Sequence, residues 1–466
     1  MFGKEVTKKN IITAVIIFAI LVFLKEHLCV LYSMDEIRNY NLSRAIAMGY
    51  IPYRDFNMVM TPLFFQLLAI PLIPVKSLFV CRLVHSLFLT LMMWLFYKAA
   101  AAETDHRHAF LLSLISISFL DIATYNTMFF VCALVVYMIL KEKRKPLIYS
   151  VMGAVATCAA LSRQTSGTLL LITGIILLVV SVSKEQRRKA VLSYLAGTAA
   201  ICFCFLFYLL GTKTFAAFWD YCFFAIFKTD GNSAVNPDGI PALVITLIGG
   251  ALDLFRYRKD HNKNNINHLI VGLTVFTVGI PIVDQMHMVY TGMWFALPLV
   301  KLFKDLFESK TTKLIWMTCD IGAVSLSLLF TFMSFRGSVF VNDIDELKYV
   351  PLTSDIRAFQ DIAQINDLYE ENGYKVTVFA QESALISIID GEFNPPYDLF
   401  LKGNLGLNDP LAYAEEACNS ENSIILITDN YQESDWEAPD GIEEYIKSHC
   451  HPIYSYSQYV WYMPDQ

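Results

Sequence analysis

The stretch "LYSMDEIRNYNLSRAIAMGYIPYRDFNMVMTPLFF", Leu31–Phe65, follows directly on the first long apolar run of the chain. It places two adjacent acids, Asp35 and Glu36, at the end of that run. Charge at the lip of a membrane is costly to half-bury and easy to avoid, so its presence needs a reason. Ser33 and Glu36 have the S-x-x-E spacing of a capping box, and an acid in a first helical turn is favoured by the helix dipole. A helix start here accounts for Glu36 and for part of Asp35. With Glu36 turned back onto the backbone, Asp35 is the acid left to face a cavity.

Working outward, the composition excludes an ordinary soluble protein. The chain is 55% hydrophobic and 17% charged, with a mean hydropathy of +0.45. Apolar runs of spanning length recur up to about residue 335 and then stop. Residues 337–466 hold 24 Asp and Glu against 5 Lys and Arg, a net of −19, whereas the whole chain is −7. The first 336 residues are therefore basic, and the two parts are expected to face different compartments. The cations are scattered in loops rather than gathered on one face, which argues against a nucleic-acid partner. Most cysteines lie within apolar runs, where Cys acts as a small hydrophobe, and no CxxC pair exists. Cys418 and Cys450 lie in the tail, as a disulfide on an oxidising face or as two buried thiols.

Basic clusters at Lys4–Lys9, Lys98–Arg107, 141–145, 184–189, 256–263 and Lys301–Lys313 contain 21 of the 36 Lys and Arg. The positive-inside rule places them in the cytoplasm, so the chain crosses an even number of times between successive clusters. Ala109–Leu140 and Pro146–Ser183 are then hairpins of two short spans. Their outer tips carry Asp121, Tyr125 and Asn126 in the first and Arg163 in the second. Single spans are expected near 10–31, 78–98, 190–210, 239–256, 266–284, 288–303 and 313–332. That totals about eleven, in a mainly α, polytopic membrane protein. The first run has no small-residue cleavage site and reads as an uncleaved anchor. "TPLFFQLLAIPLIP", Thr61–Pro74, is too short to span and reads as an interfacial segment within an outer loop, residues 32–76. The organisation expected is a transmembrane part, 1–335, and an extracytoplasmic α/β domain, 336–466. The N-terminus would lie inside.

The acid pair after span one, then "RNYNLSRAIAMGYIPYRDF", the Pro-containing shelf and the Arg-bearing second span "VCRLVHSLFL" resemble the GT-C superfamily of membrane glycosyltransferases. The nearest branch is that of protein-mannosyltransferases and aminoarabinose transferases. The resemblance covers residues 10–340 in layout and 32–98 in motif. It implies transfer of a sugar from a polyprenyl-phosphate carrier to a glycan, lipid or protein acceptor on the extracytoplasmic face. The acceptor hydroxyl must lose a proton, which gives Asp35 the role of general base in an inverting displacement, beside Glu36. Asp121 resembles the second acid that many of these enzymes carry in the next outer loop. The leaving phosphate gains charge, which calls for a cation on the same face. Arg163 is the first candidate, then Arg82 with His85, three residues apart on one helical face, and His287. Tyr125 and Asn126 complete the candidate substrate-binding set. Arg54 and Asp55 belong to the same loop, as site residues or as an internal ion pair holding the shelf. No second DxD-type motif is present, so a divalent metal has no support in the sequence.

In the tail, "KVTVFA" at 375–380 and "SIILITD" at 423–429 read as buried strands, and the C-terminal "PIYSYSQYVWYMP" as a hairpin or edge strands. Helix-like runs at 355–372 and 441–449 predict one small sheet packed on helices. Asn394–Gly406 reads as an acceptor-facing loop or a plain connector. Two other functions compete. A transporter or flippase of lipid-linked sugars predicts internal repeats and broken helices at mid-membrane, and no repeat is seen. A non-catalytic assembly protein predicts that Asp35 and Arg163 are replaceable.

Overall fold

A computed structural model describes residues 8–31, 34–120, 124–141, 147–224, 234–307, 313–380, 382–391, 410–428 and 441–465. Ser33, Asp121 and the 394–406 loop fall outside them. In chain order the helices of the apolar part are α1 (Lys8–Leu28), α2 (Met34–Ala47), α3 (Leu63–Leu72), α4 (Leu78–Glu103), α5 (His106–Phe119), α6 (Tyr125–Lys141), α7 (Ile148–Ala160) and α8 (Gln164–Ser181). They continue with α9 (Lys184–Gly211), α10 (Phe215–Trp219), α11 (Ile240–Asp260), α12 (Lys263–Phe276), α13 (Gln285–Phe307) and α14 (Lys313–Phe335), with a two-residue parallel pair, β1 (Ala234–Val235) and β2 (Ile282–Val283). The tail adds α15 (Ile356–Glu371), β3 (Lys375–Phe379), α16 (Ser383–Asp390), α17 (Pro410–Asn419), β4 (Ser423–Thr428), α18 (Ile442–His449), β5 (Cys450–Tyr456) and β6 (Tyr459–Pro464).

Each of the eleven expected spans overlaps a helix, the one at 266–284 only as far as Phe276, where α12 gives way to a 3-10 turn and β2. Six of them, α1, α4, α8, α9, α11 and α14, are long and apolar enough to cross a membrane, and the chain is a multi-pass membrane protein. The stretch 109–140 breaks into α5 and α6, and 146–183 into α7 and α8, as parity required. The shelf helix α3 has only 10 residues, with Phe64, Phe65 and Leu68 buried and Ile70 61% exposed. At that length it is too short to span a membrane.

The chain forms two compact units. The first comprises residues 1–29, 82–207 and 232–336; the second comprises 30–81, 208–231 and 337–466.

In the first unit, buried polar groups show which helix ends meet. Glu103, at the end of α4, accepts from Tyr137 Oη at 2.6 Å and from Lys141 Nζ at 2.6 Å, and Lys301 of α13 stands 3.4 Å away. Three of the basic clusters thus share one end of the bundle. Nearby, His268 Nδ1 lies 2.6 Å from Asp253 Oδ2, and its ring stacks on Trp294. At the opposite end Lys25 Nζ donates to the carbonyls of Ile117 and Ser118, where α5 finishes and its last C=O groups lack helical partners.

Small residues let α7 and α9 touch backbone to backbone. A Cβ on Gly153 would lie 2.0 Å from Tyr194 O, and one on Gly197 1.8 Å from Ser150 O. Gly153→Ala is therefore expected to destabilise this unit by about 1–3 kcal/mol through overpacking. Gly322→Ala, where nothing lies within 4 Å, should be neutral or slightly stabilising. Thermal midpoints of the two variants in detergent check the contrast; equal midpoints would refute the close-packing argument.

In the second unit the tail is a four-stranded sheet ordered β3-β4-β6-β5, with β3 and β4 parallel and the other pairs antiparallel. Every residue of the apolar run β4 is buried, as suits a strand covered on both faces. Alternation then sorts the side chains. Val376, Val378, Ile424, Leu426 and Trp461 pack with Ile362 of α15 and Ile386 of α16 on one face. Ile425, Ile427 and Tyr462 pack with Ala414 of α17 and Ile446 of α18 on the other. The result is a three-layer α/β sandwich, one layer more than a sheet lying on helices.

Candidate active site

The acidic stretch that opened the reading is the first turn of α2, with Asp35 and Glu36 both in it. Glu36 is 1% exposed, and Asp35 is only partly buried. One turn and two turns on from Glu36, at the four-residue spacing of a helix face, stand Tyr40 and Arg44, both fully buried. Tyr40 Oη donates to Glu346 Oε2 at 2.7 Å, and Arg44 Nε donates to Glu346 Oε1 at 2.9 Å. A carboxylate from the far end of the chain thus ties down α2 at its middle. The entry to α2 is tied as well: Leu31 N donates to Pro351 O at 2.8 Å, and Leu352 pairs in turn with Val339. α16 also packs against α2. Asp35 stands on a helix held at its entry, its middle and its side.

The adjoining loop closes on itself. Ile51 N donates to Asp55 Oδ2 at 2.7 Å, and Arg54 makes two parallel bonds to Asp55 at 2.8 and 2.9 Å. The Arg54 guanidinium holds the Asp55 carboxyl below its ordinary value. These two sequence candidates pair with each other, and the Arg54 side chain is 51% exposed. Tyr53, at φ 69°, sits at the turn with its hydroxyl donating to Met60 O and its ring stacked on Tyr221.

The first unit brings three other candidates together. Arg163, the residue before α8, lies over the Tyr125 ring at 5.6 Å. It donates through one nitrogen to Asn126 Oδ1 and through another to Val278 O at 2.9 Å. Two hairpins and the end of α12 thereby converge, at the end of the bundle opposite Glu103. Among the described residues Arg163 has no carboxylate within ion-pair distance, and its Nε is buried without a hydrogen-bond partner. A guanidinium held by neutral groups keeps its charge available for an anion. Beside it, Thr127 Oγ1 and Tyr290 Oη are 2.8 Å apart.

The remaining candidates lie deeper or elsewhere. Arg82 and His85 are both 0% exposed on α4. Arg82 donates to Cys29 O at 2.8 Å, where α1 has just ended, and His85 Nδ1 lies 3.7 Å from Glu26. His287 Nδ1 is 2.8 Å from Asp284 Oδ1, and Asp284 also accepts from the His287 backbone at the start of α13. Among the described residues no group of three His, Cys, Asp or Glu is arranged to hold a metal ion.

Sequence reasoning missed Tyr40, Arg44 and Glu346. A polar stripe at positions 36, 40 and 44 of one helix was the available signal, since such a stripe must be buried against something polar. Glu346, 302 residues from Arg44, carried none.

No family model matches the sequence, and no curated protein matches it. Solved structures do. The chain is similar to ArnT from Cupriavidus metallidurans bound to undecaprenyl phosphate, with a TM-score of 0.60 and 11% identity over 97% of both chains. It is similar to the Archaeoglobus fulgidus oligosaccharyltransferase tethered to an acceptor peptide, with a TM-score of 0.50 and 12% identity over 99% of this chain and 74% of that one. It is also similar to the arabinofuranosyltransferase AftD from Mycobacteria, with a TM-score of 0.52 and 10% identity over 99% of this chain and 40% of that one. The fold is that of the GT-C membrane glycosyltransferases.

Proposed function

We propose that this protein is an inverting glycosyltransferase that moves a sugar from a polyprenyl-phosphate carrier to an extracytoplasmic acceptor. The observation that carries the reading is the placement of Asp35. It is a partly exposed carboxylate in the first turn of a helix that the rest of its unit braces, in a chain with the GT-C fold. A transferase base needs that combination, because the carboxylate must reach a hydroxyl and must not move when it takes the proton. The carrier is inferred from the undecaprenyl phosphate bound by ArnT. The acceptor class, glycan, lipid or protein, is carried over from the sequence resemblance, and the acceptor peptide tethered to the Archaeoglobus fulgidus oligosaccharyltransferase supports the protein case.

In the first unit the reading assigns Arg163 to the carrier phosphate, with Tyr125 and Asn126 orienting it. Arg163→Ala is expected to lower turnover by roughly 10²–10³-fold, the scale of losing one charge-stabilising donor. Arg163→Lys should recover little, since an ammonium cannot reach Asn126 and Val278 as a fork does. Donor-release assays on purified protein read this out, and wild-type turnover in Arg163→Ala would remove the assignment. Arg82 and His85 are read as organisers of the α1–α4 junction, and Asp121 keeps the second-acid role implied by the resemblance. The basic end of the bundle is assigned to the cytoplasm together with the N-terminus, and residues 336–466 to the outer face.

The test of the whole reading is a comparison of cells with and without the protein. One extracytoplasmic glycan should lose a sugar while the carrier-linked form of that sugar accumulates on the outer leaflet. Accumulation on the inner leaflet instead would mark a flippase. No change in either pool would mark a protein without transfer activity.

A further inference from the structure

We propose that Cys418 and Cys450 are a reversible disulfide pair, with Cys418 as the attacking thiol and Cys450 as the resolving one. The two sulfurs lie 3.3 Å apart, joining the end of α17 to the first residue of the edge strand β5. A covalent bond of about 2.05 Å needs them to close by little more than 1 Å, within reach of small side-chain rotations. Their surroundings differ in the way a two-step exchange requires. Cys450 is 4% exposed and packs in the core with Ala414, Ile442 and Ile446. Cys418 is partly exposed and lines a polar cleft of about 420 Å³ with Asn419, Glu421, Asn422 and Asp465. An incoming disulfide can reach the first sulfur and not the second.

The exchange balances with a small-molecule or protein disulfide as the oxidant. Cys418, as thiolate, attacks one sulfur of the oxidant, forming a mixed disulfide and releasing one thiol of the oxidant. Cys450 then loses its proton and attacks the Cys418 sulfur, closing the bridge and releasing the second thiol. Two protein thiols are oxidised and one oxidant disulfide is reduced to two thiols. Burial raises both thiols above their ordinary value, so the bridge forms slowly without a disulfide donor. Once closed it staples α17 to a strand that, among the described residues, lies at the edge of the sheet. An oxidising outer compartment would favour the bridged form.

The test uses the full-length protein in detergent, incubated with glutathione disulfide, alkylated, digested and read by mass spectrometry. Wild type is expected to lose the Cys418 and Cys450 thiols from its total of ten and to yield a peptide pair linked between them, reversed by dithiothreitol. Cys450→Ala, which keeps the site apolar, should trap Cys418 as its glutathione mixed disulfide. Cys418→Ser should leave Cys450 unreacted. Glutathione retained on Cys418 in wild type, with no linked pair, overturns the bridge. A free Cys418 in Cys450→Ala overturns its role as the attacking thiol. The outcome does not depend on any sugar transfer.

Discussion

Asp35→Asn is expected to lose about 10²–10⁴-fold in the rate of sugar transfer while the protein is made and inserted as before. Asparagine has the shape of aspartate and cannot accept the proton of an attacking hydroxyl. The structural cost is small because Asp35 is partly exposed and its fold-level role is that of an acid in a first turn. Losing a charge from that position costs about 0.3–1 kcal/mol. Rate and stability therefore separate in this one variant. The measurement is initial transfer velocity at saturating donor, paired with the thermal midpoint of the same preparation. Undiminished velocity at an unchanged midpoint would reduce Asp35 to a helix-start residue and remove the catalytic proposal. Asp35→Glu retains a base but moves it by a methylene, so it should recover part of the rate.

Glu346→Ala is expected to be the most damaging single change to stability in the second unit, at about 3–5 kcal/mol. The reason lies in what is left behind. Arg44 is 0% exposed, and its bonds to Glu346 are 2.7 and 2.9 Å long. Removing the carboxylate leaves a buried guanidinium facing the space it vacated, with the Tyr40 hydroxyl deprived of its acceptor as well. A domain typically has about 5–15 kcal/mol in total, so such a loss is a large fraction of it. The double variant Arg44→Met with Glu346→Leu should recover much of it, because a buried ion pair gains little over apolar residues of similar size. One residue away, Asp345→Ala removes an exposed pair with Lys348 and should change stability by less than about 1 kcal/mol. Denaturant or thermal unfolding of the four proteins settles it, and a Glu346→Ala protein as stable as Asp345→Ala would show the network to be incidental. A loss of transfer exceeding the unfolded fraction would further mean that Glu346 also positions Asp35.

Much of this architecture was legible because membrane physics constrains sequence strongly. Spanning length and loop charge were enough to break 109–140 and 146–183 into hairpins, and Glu103 meeting both Lys141 and Lys301 is the parity of those loops made visible. The strands at 375–379 and 423–428 were legible for another reason: short β-branched runs bounded by turns have few alternatives. The candidate site was legible only as a set of residue types. Tyr125, Asn126 and Arg163 come from two hairpin tips that no spacing rule relates, and they meet because α6 and α8 begin at the same end of the bundle. Arg54 and Asp55, adjacent in sequence, pair with each other, which was one of the two readings open to them.

The sequence by itself determined the membrane class, the places of the spans, the small sheet and the position of an acid pair at the start of a helix. These depend on local composition, on periodicity and on the cost of charge in lipid, all of which act within a window of some twenty residues. Only the tertiary structure decided which charges are committed and which are available. Arg44 is consumed by the Glu346 carboxylate, whereas Arg163 is held by the neutral Asn126 amide and Val278 carbonyl. That distinction depends on which groups lie within about 3 Å across hundreds of residues of chain. Distance of that kind is a property of packing, and no local pattern encodes it.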